Sequence, residues 1–181
     1  WALGHLFIFH GGDLRVLYFI DQLTYLSGLA IAWSFLHFVY NFPFRAGTVN
    51  RKLLLLFTAV TGVSIFLIFY TTGIITGIYN KTFGASFEIN LAFFSFYAFN
   101  FFLIFIYAYS LILKKYLRAD GSNKRLIKYF FYSSLVPVVA GSVLNLLLGF
   151  FEIFDFQIYG PIFTLFFTIT VAYIVFLKPN G

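Results

Sequence analysis

The residues able to bind a polar ligand or carry a proton are few, and they sit in apolar company. Asp21, Gln22 and Tyr25 lie close together in the run RVLYFIDQLTYLSGLAIAWSFLHFVYNFP. Asp21 and Tyr25 are one helical turn apart, so a carboxylate and a phenol share a face with an amide beside them. Such a face can line a small cavity, to which Asn90, Tyr97, Asn100, and Asn145 or Glu152 from later segments can contribute. The alternative reading of Asp21 is a carboxylate reaching up to the headgroup boundary, about 9 Å along the helix from Arg15 at 1.5 Å per residue. Further along, Ser34, His37 and Asn41 share a face, where the imidazole can sense pH or bond a neighbouring helix. His5, His10 and Asp13 are five and three residues apart around a double glycine, which matches no metal-ligand pattern.

Catalytic chemistry has no foothold here. The chain has no cysteine, which excludes disulfides, thiolate metal sites and a cysteine nucleophile. It also has no Gly-rich phosphate loop, no HExxH, no GxSxG and no pair of aspartates within a span. The segment reads as a non-enzyme with no metal or cofactor motif.

The elements that must position these groups follow from composition. Of 181 residues, 61% are hydrophobic, 24% aromatic and only 10% charged, and mean hydropathy is +0.92. That exceeds the apolar share of a soluble domain and places the chain in a lipid bilayer. The apolar runs lack barrel-strand alternation and are long enough for helices to cross roughly 30 Å of hydrocarbon. The predicted fold is an all-α polytopic transmembrane bundle forming a single domain. It has a partial helix over residues 1–9 and five full spans at 16–41, 53–72, 89–113, 126–150 and 158–177, joined by short polar connections. Translation cannot start at Trp1, so a preceding segment is expected.

Positive charge orients this bundle. Residues 114–128, KKYLRADGSNKRLIK, hold six of the twelve Lys and Arg residues. If connections alternate sides, one side carries Arg45, Arg51, Lys52, Lys114, Lys115, Arg118, Lys124, Arg125, Lys128 and Lys178, and the other only Arg15 and Lys81. Short Lys/Arg-rich loops stay cytoplasmic, so the cationic side and the C-terminus are expected inside. These residues are read as topology anchors drawn to anionic headgroups rather than as a nucleic-acid patch. The turn is expected through Asp120, Gly121, Ser122 and Asn123.

Small and polar residues inside the spans predict packing seams. Ser134, Pro137, Gly141, Ser142 and Asn145 fall on one face of the fourth span, a seam or a ligand face. Gly28 with Ala32, and Gly160 with Thr164 and Thr168, form similar stripes, and Pro137 is expected to kink its helix. Gly73 and Gly77 form a GxxxG that suits either a dimer face or a turn, and Asn80-Lys81-Thr82 fits a glycosylation sequon.

Three stretches carry a family resemblance. RVLYFIDQLTYLSGLAIAWSFLHFVYNFP resembles the third helix of the N-terminal seven-helix region of bacterial sensor histidine kinases. YAYSLILKKYLRADGSNKRLIKYFFYSSLVPVVAGSVLNLLLGFF resembles that region's helix five, basic loop and helix six, including Asn145 in the outer half. IYGPIFTLFFTITVAYIVFL resembles its last helix, with the Tyr159 to Pro161 entry and the Ala172 to Ile174 exit. The resemblance implies a sensor module of the bacterial cytoplasmic membrane whose first helix lies before Trp1. It also implies a small-molecule or lipid-like signal, a C-terminal cytoplasmic output domain, and a homodimer. Asp21, Gln22, Tyr25, Tyr97, Asn100 and Asn145 are the expected sensing residues. A small multipass transporter using Asp21, His37 and Asn100 is the alternative, and a membrane scaffold the third reading.

Overall fold

Where a long apolar run ends in a residue that cannot continue a helix, the chain turns. The computed structural model describes residues 13–44, 51–69, 74–81, 84–151 and, further on, 162, 165, 166, 168, 169, 172 and 173. Helix α1 spans Leu14–Asn41. Asp13 caps it by accepting from the Arg15 amide at 2.9 Å, satisfying one of the free N–H groups of the first turn. It stops at Phe42, which is extended as the residue before a proline tends to be. Helix α2 spans Arg51–Phe69. Strands β1 (Ile75–Lys81) and β2 (Gly84–Ile89) then form an antiparallel hairpin. The Asn90 amide donates to the Ile74 carbonyl at 2.8 Å, closing the hairpin's base, and the Asn90 side chain caps helix α3, Leu91–Arg118. Helix α4 spans Gly121–Ser142, passes into a π-turn at Val143–Leu147, and ends in a short α5, Leu148–Phe150.

Three of these helices, covering Arg15–Asn41, Lys52–Phe69 and Leu91–Arg118, are long and apolar enough to cross a membrane. Length and apolarity support three of the five expected full spans. The fourth expected span, 126–150, follows Lys124 and Arg125 and contains Lys128 in its first turn, and its α-ladder gives way to the π-turn after Ser142. Most of the fifth, residues 158–177, lies outside the described residues, as does the partial helix 1–9. A correction concerns the connection after α2, which contains the hairpin. Gly77 lies in β1, so the Gly73/Gly77 pair is not a helical dimer face. The basic stretch of residues 114–128 is not a loop either. It is the end of α3, a break at Ala119 and Asp120, and the start of α4, with Gly121 taking the left-handed φ of 55° that the turn requires. Pro137 sits within α4, and the backbone register changes later, at Val143–Leu147.

The helices pack in constant register. Tyr25 meets Tyr97, Phe35 meets Phe105, and Val39 is bonded to Lys115, so α1 and α3 run parallel. Gln22 bonds to Ile68 and Trp33 to Thr61, so α2 runs opposite to α1. Tyr109 pairs with Phe131 and Phe94 with Phe150, so α4 and its continuation run back along α3. Two cores result. One end buries Leu17, Leu29, Ile68, Ile74, Phe94 and Leu146, and the other Ala32, Phe35, Leu36, Ile104, Phe105 and Phe130. Large apolar side chains cover the outside, with Leu55 at 69%, Ile106 at 65% and Leu117 at 72% exposure. Such a surface is stable against lipid and not against water.

Candidate functional site

At the hairpin end, the structure places Asp21, Gln22, Tyr25 and Tyr97 of the expected cluster near one another. Asp21 and Gln22 are buried on the face of α1 that meets its neighbours. The Gln22 amide nitrogen donates to the Ile68 carbonyl at 2.8 Å, satisfying an acceptor in the last turn of α2 that has no intrahelical partner. The Tyr97 hydroxyl donates to the Tyr25 carbonyl at 2.9 Å, and the two rings meet edge to face at 5.2 Å. Gly28 permits this bond, because a Cβ there would come within 2.5 Å of the Tyr97 hydroxyl. The expected small-residue seam at Gly28 and Ala32 is therefore a close contact with α3 at Gly28 and full burial at Ala32. Asp21 differs from its neighbours: its Oδ2 is buried and has no hydrogen-bond partner among the described residues.

Two turns deeper, Asn100 is fully buried. Its amide donates to Ser64 Oγ at 3.1 Å and to Thr61 Oγ1 at 3.3 Å, and Thr61 Oγ1 also accepts from the Trp33 indole at 2.9 Å. Three helices are tied together by this network. Asn100 Oδ1, like Asp21 Oδ2, is a buried acceptor with no partner among the described residues. Trp33, Thr61 and Ser64 were not expected in the site. Thr61 and Ser64 are three residues apart in sequence, the spacing that puts both hydroxyls on one face, and that was the available signal.

At the opposite end, Lys115 corrects the anchor reading. The other described anchors, Lys52, Lys114, Arg118, Lys124, Arg125 and Lys128, are exposed, whereas Lys115 is buried. Its Nζ donates to the carbonyls of Val39 at 2.6 Å, Tyr40 at 2.9 Å, Phe42 at 2.7 Å and Phe44 at 2.6 Å, with the Phe44 ring 5.5 Å away. The ammonium thus occupies the C-terminus of α1, where free carbonyls and the helix dipole both favour a cation. An ammonium has three protons, so four acceptors must share them. The sequence signal was periodicity, because Asn100, Ile104, Ala108, Ile112 and Lys115 form one buried stripe of α3.

The remaining candidates divide. Ser134 is fully buried and accepts from the Tyr109 hydroxyl at 3.1 Å, so the α4 seam exists there. Ser142 is buried with its Oγ unpartnered among the described residues, while Pro137 and Gly141 are half-buried. Asn145 lies in the π-turn. Its side chain, with Glu152, Gly160, Thr164, Arg45 and Lys178, lies outside what is described, as does the side chain of Arg51, and Thr168 is exposed. His37 is exposed on the face away from the core, and Asn41 donates to its carbonyl at 2.9 Å. His37 therefore does not join Asp21 and Asn100. His5 and His10 are outside the described residues, Asp13 is an exposed helix cap, and no metal-ligating cluster occurs among the described residues. Compared with known proteins, the chain matches no family model, no curated protein and no solved structure.

Proposed function

We propose that this chain is the membrane-embedded input module of a signal-transduction protein. A stimulus at the outer end or from the bilayer changes how α3 sits against α1, and the last apolar segment, residues 158–177, passes the change to a cytoplasmic output domain. One observation carries the reading: two parallel helices share a polar core at each end, one with acceptors that have no partner among the described residues and one with a clasped cation. A small-molecule or lipid-like donor that engages Asp21 or Asn100 stabilises one helix packing over another, and only such a differential contact can shift an equilibrium. Movement of α3 along α1 at the outer end then loads the Lys115 clasp at the other.

In this reading the cation-rich end faces the cytoplasm of a bacterium. The five segments 16–41, 53–72, 89–113, 126–150 and 158–177 all cross, the fourth because α4 and its continuation accompany α3 from Phe131 to Phe150. The histidine-kinase output and the homodimer rest on the sequence resemblance alone. The coding sequence beyond Gly181 tests the proposal directly. A histidine-bearing helical hairpin followed by an ATP-binding domain is expected, and a stop codon there would exclude the kinase output.

Transport is the second reading, because the buried acceptors of Asp21 and Asn100, without partners among the described residues, also suit a polar solute or cation. It must do without His37. Solute uptake by the chain in proteoliposomes, lost on Asn100→Leu, would favour transport over signalling.

A further inference from the structure

Between the last turn of α3 and the beginning of α4 lies a cleft of about 150 Å³. Ile112, Leu113, Ile127 and Phe131 form its walls. Its rim is polar and positive: Tyr116 and Tyr132 line it, and so does Lys128, which is exposed. A second cation stands at the same rim, since the Lys124 ammonium lies over the Tyr116 ring at 5.2 Å from its centroid. Lys124 and Lys128 are one helical turn apart and so lie on the same face of α4. No carboxylate lines the cleft, and the acid of this stretch, Asp120, sits back at the turn.

We propose that this cleft binds an anionic glycerophospholipid, with an acyl chain on the apolar walls and its phosphate between Lys124 and Lys128. Three features select that occupant. The walls are hydrocarbon, which suits a chain and not a free anion. The cations sit where the basic end of α3 adjoins the basic start of α4, so the phosphate faces complementary charge. Tyr116, Tyr129 and Tyr132 lie at this level, and Tyr129 and Tyr132 are exposed, as expected of aromatic residues at a headgroup boundary. The inference rests on membrane embedding and not on the input role, so retention of lipid can be read without any signalling assay.

The full chain, reconstituted in phosphatidylcholine vesicles with and without phosphatidylglycerol and then extracted, is examined by native mass spectrometry for bound lipid. Phosphatidylglycerol should be retained over phosphatidylcholine by about thirty-fold, the scale set by two lysines near a phosphate at about 1 kcal/mol each. The exposed-site double variant K124Q/K128Q should reduce that preference to near unity, whereas K124R/K128R and K114Q/R118Q should keep it. Phe131→Ala should lower retention of both lipids. Equal loss in K114Q/R118Q would show diffuse attraction to the basic end and overturn the site. So would displacement of the lipid by soluble glycerol phosphate, or absence of any headgroup preference in the unmodified chain.

Discussion

The two ends of the α1–α3 pair meet the problem of buried polarity in opposite ways. At the hairpin end there are acceptors without donors: Asp21 Oδ2 and Asn100 Oδ1 are buried and unpartnered among the described residues. At the other end one donor group serves more acceptors than it has protons, with Lys115 holding four carbonyls. A fully satisfied network in a low-dielectric interior is rigid, whereas an unsatisfied one waits for a partner. The contrast teaches which end is built to hold and which is built to respond.

The comparison breaks most readily at the holding end. Lys115→Met keeps the aliphatic stem and removes the charge, leaving four carbonyls unserved. A loss of roughly 3 kcal/mol is expected in denaturant unfolding from lipid-detergent micelles. An unchanged midpoint would show that the clasp holds nothing. At the responding end, Gly28→Val drives a branched side chain into the Tyr97 hydroxyl and should cost about 2 kcal/mol. The double variant with Tyr97→Phe should recover part of that cost, because the clashing atom is gone.

Smaller effects sharpen the comparison. Asn100→Ala removes the amide's bonds to Thr61 and Ser64, each about 0.6 kcal/mol in a membrane, so a loss near 1 kcal/mol is expected. Asp21→Asn should be the mildest, within about 1 kcal/mol of the parent, since it exchanges an unpartnered buried carboxylate for a neutral amide. Its effect is expected in signalling instead: in the intact protein, autophosphorylation should shift while membrane insertion stays the same. Unchanged output would remove Asp21 from the sensing end.

Much of this architecture was legible in the chain because lipid imposes simple demands. Apolar runs gave α1, α2 and α3 to within a few residues at most ends, and the shared face of Asp21 and Tyr25 was readable from helical spacing, with Tyr97 one of several polar residues that could join it. Three things were not. The hairpin hides in a connection whose Gly and Asn residues read as breakers, and its pairing depends on partners nine to fourteen residues apart at its base. Lys115 looked like one cation among six, since charge identity says nothing about which helix end a flexible side chain reaches. The register change is the third: a proline such as Pro137 is a visible cause of a kink, while the π-turn of Val143–Leu147 contains no residue that announces it.

That π-turn decides which side of a helix meets which neighbour. An α-helix advances 100° per residue, so the extra residue accommodated over Val143–Leu147 sets back every later side chain by about that angle. Leu146 is thereby buried beside Phe94, and Phe150 places its ring 4.8 Å from that of Phe94. The closure of the bundle at this end is thus a question of phase: one residue more than a regular ladder holds, and the aromatic contact forms.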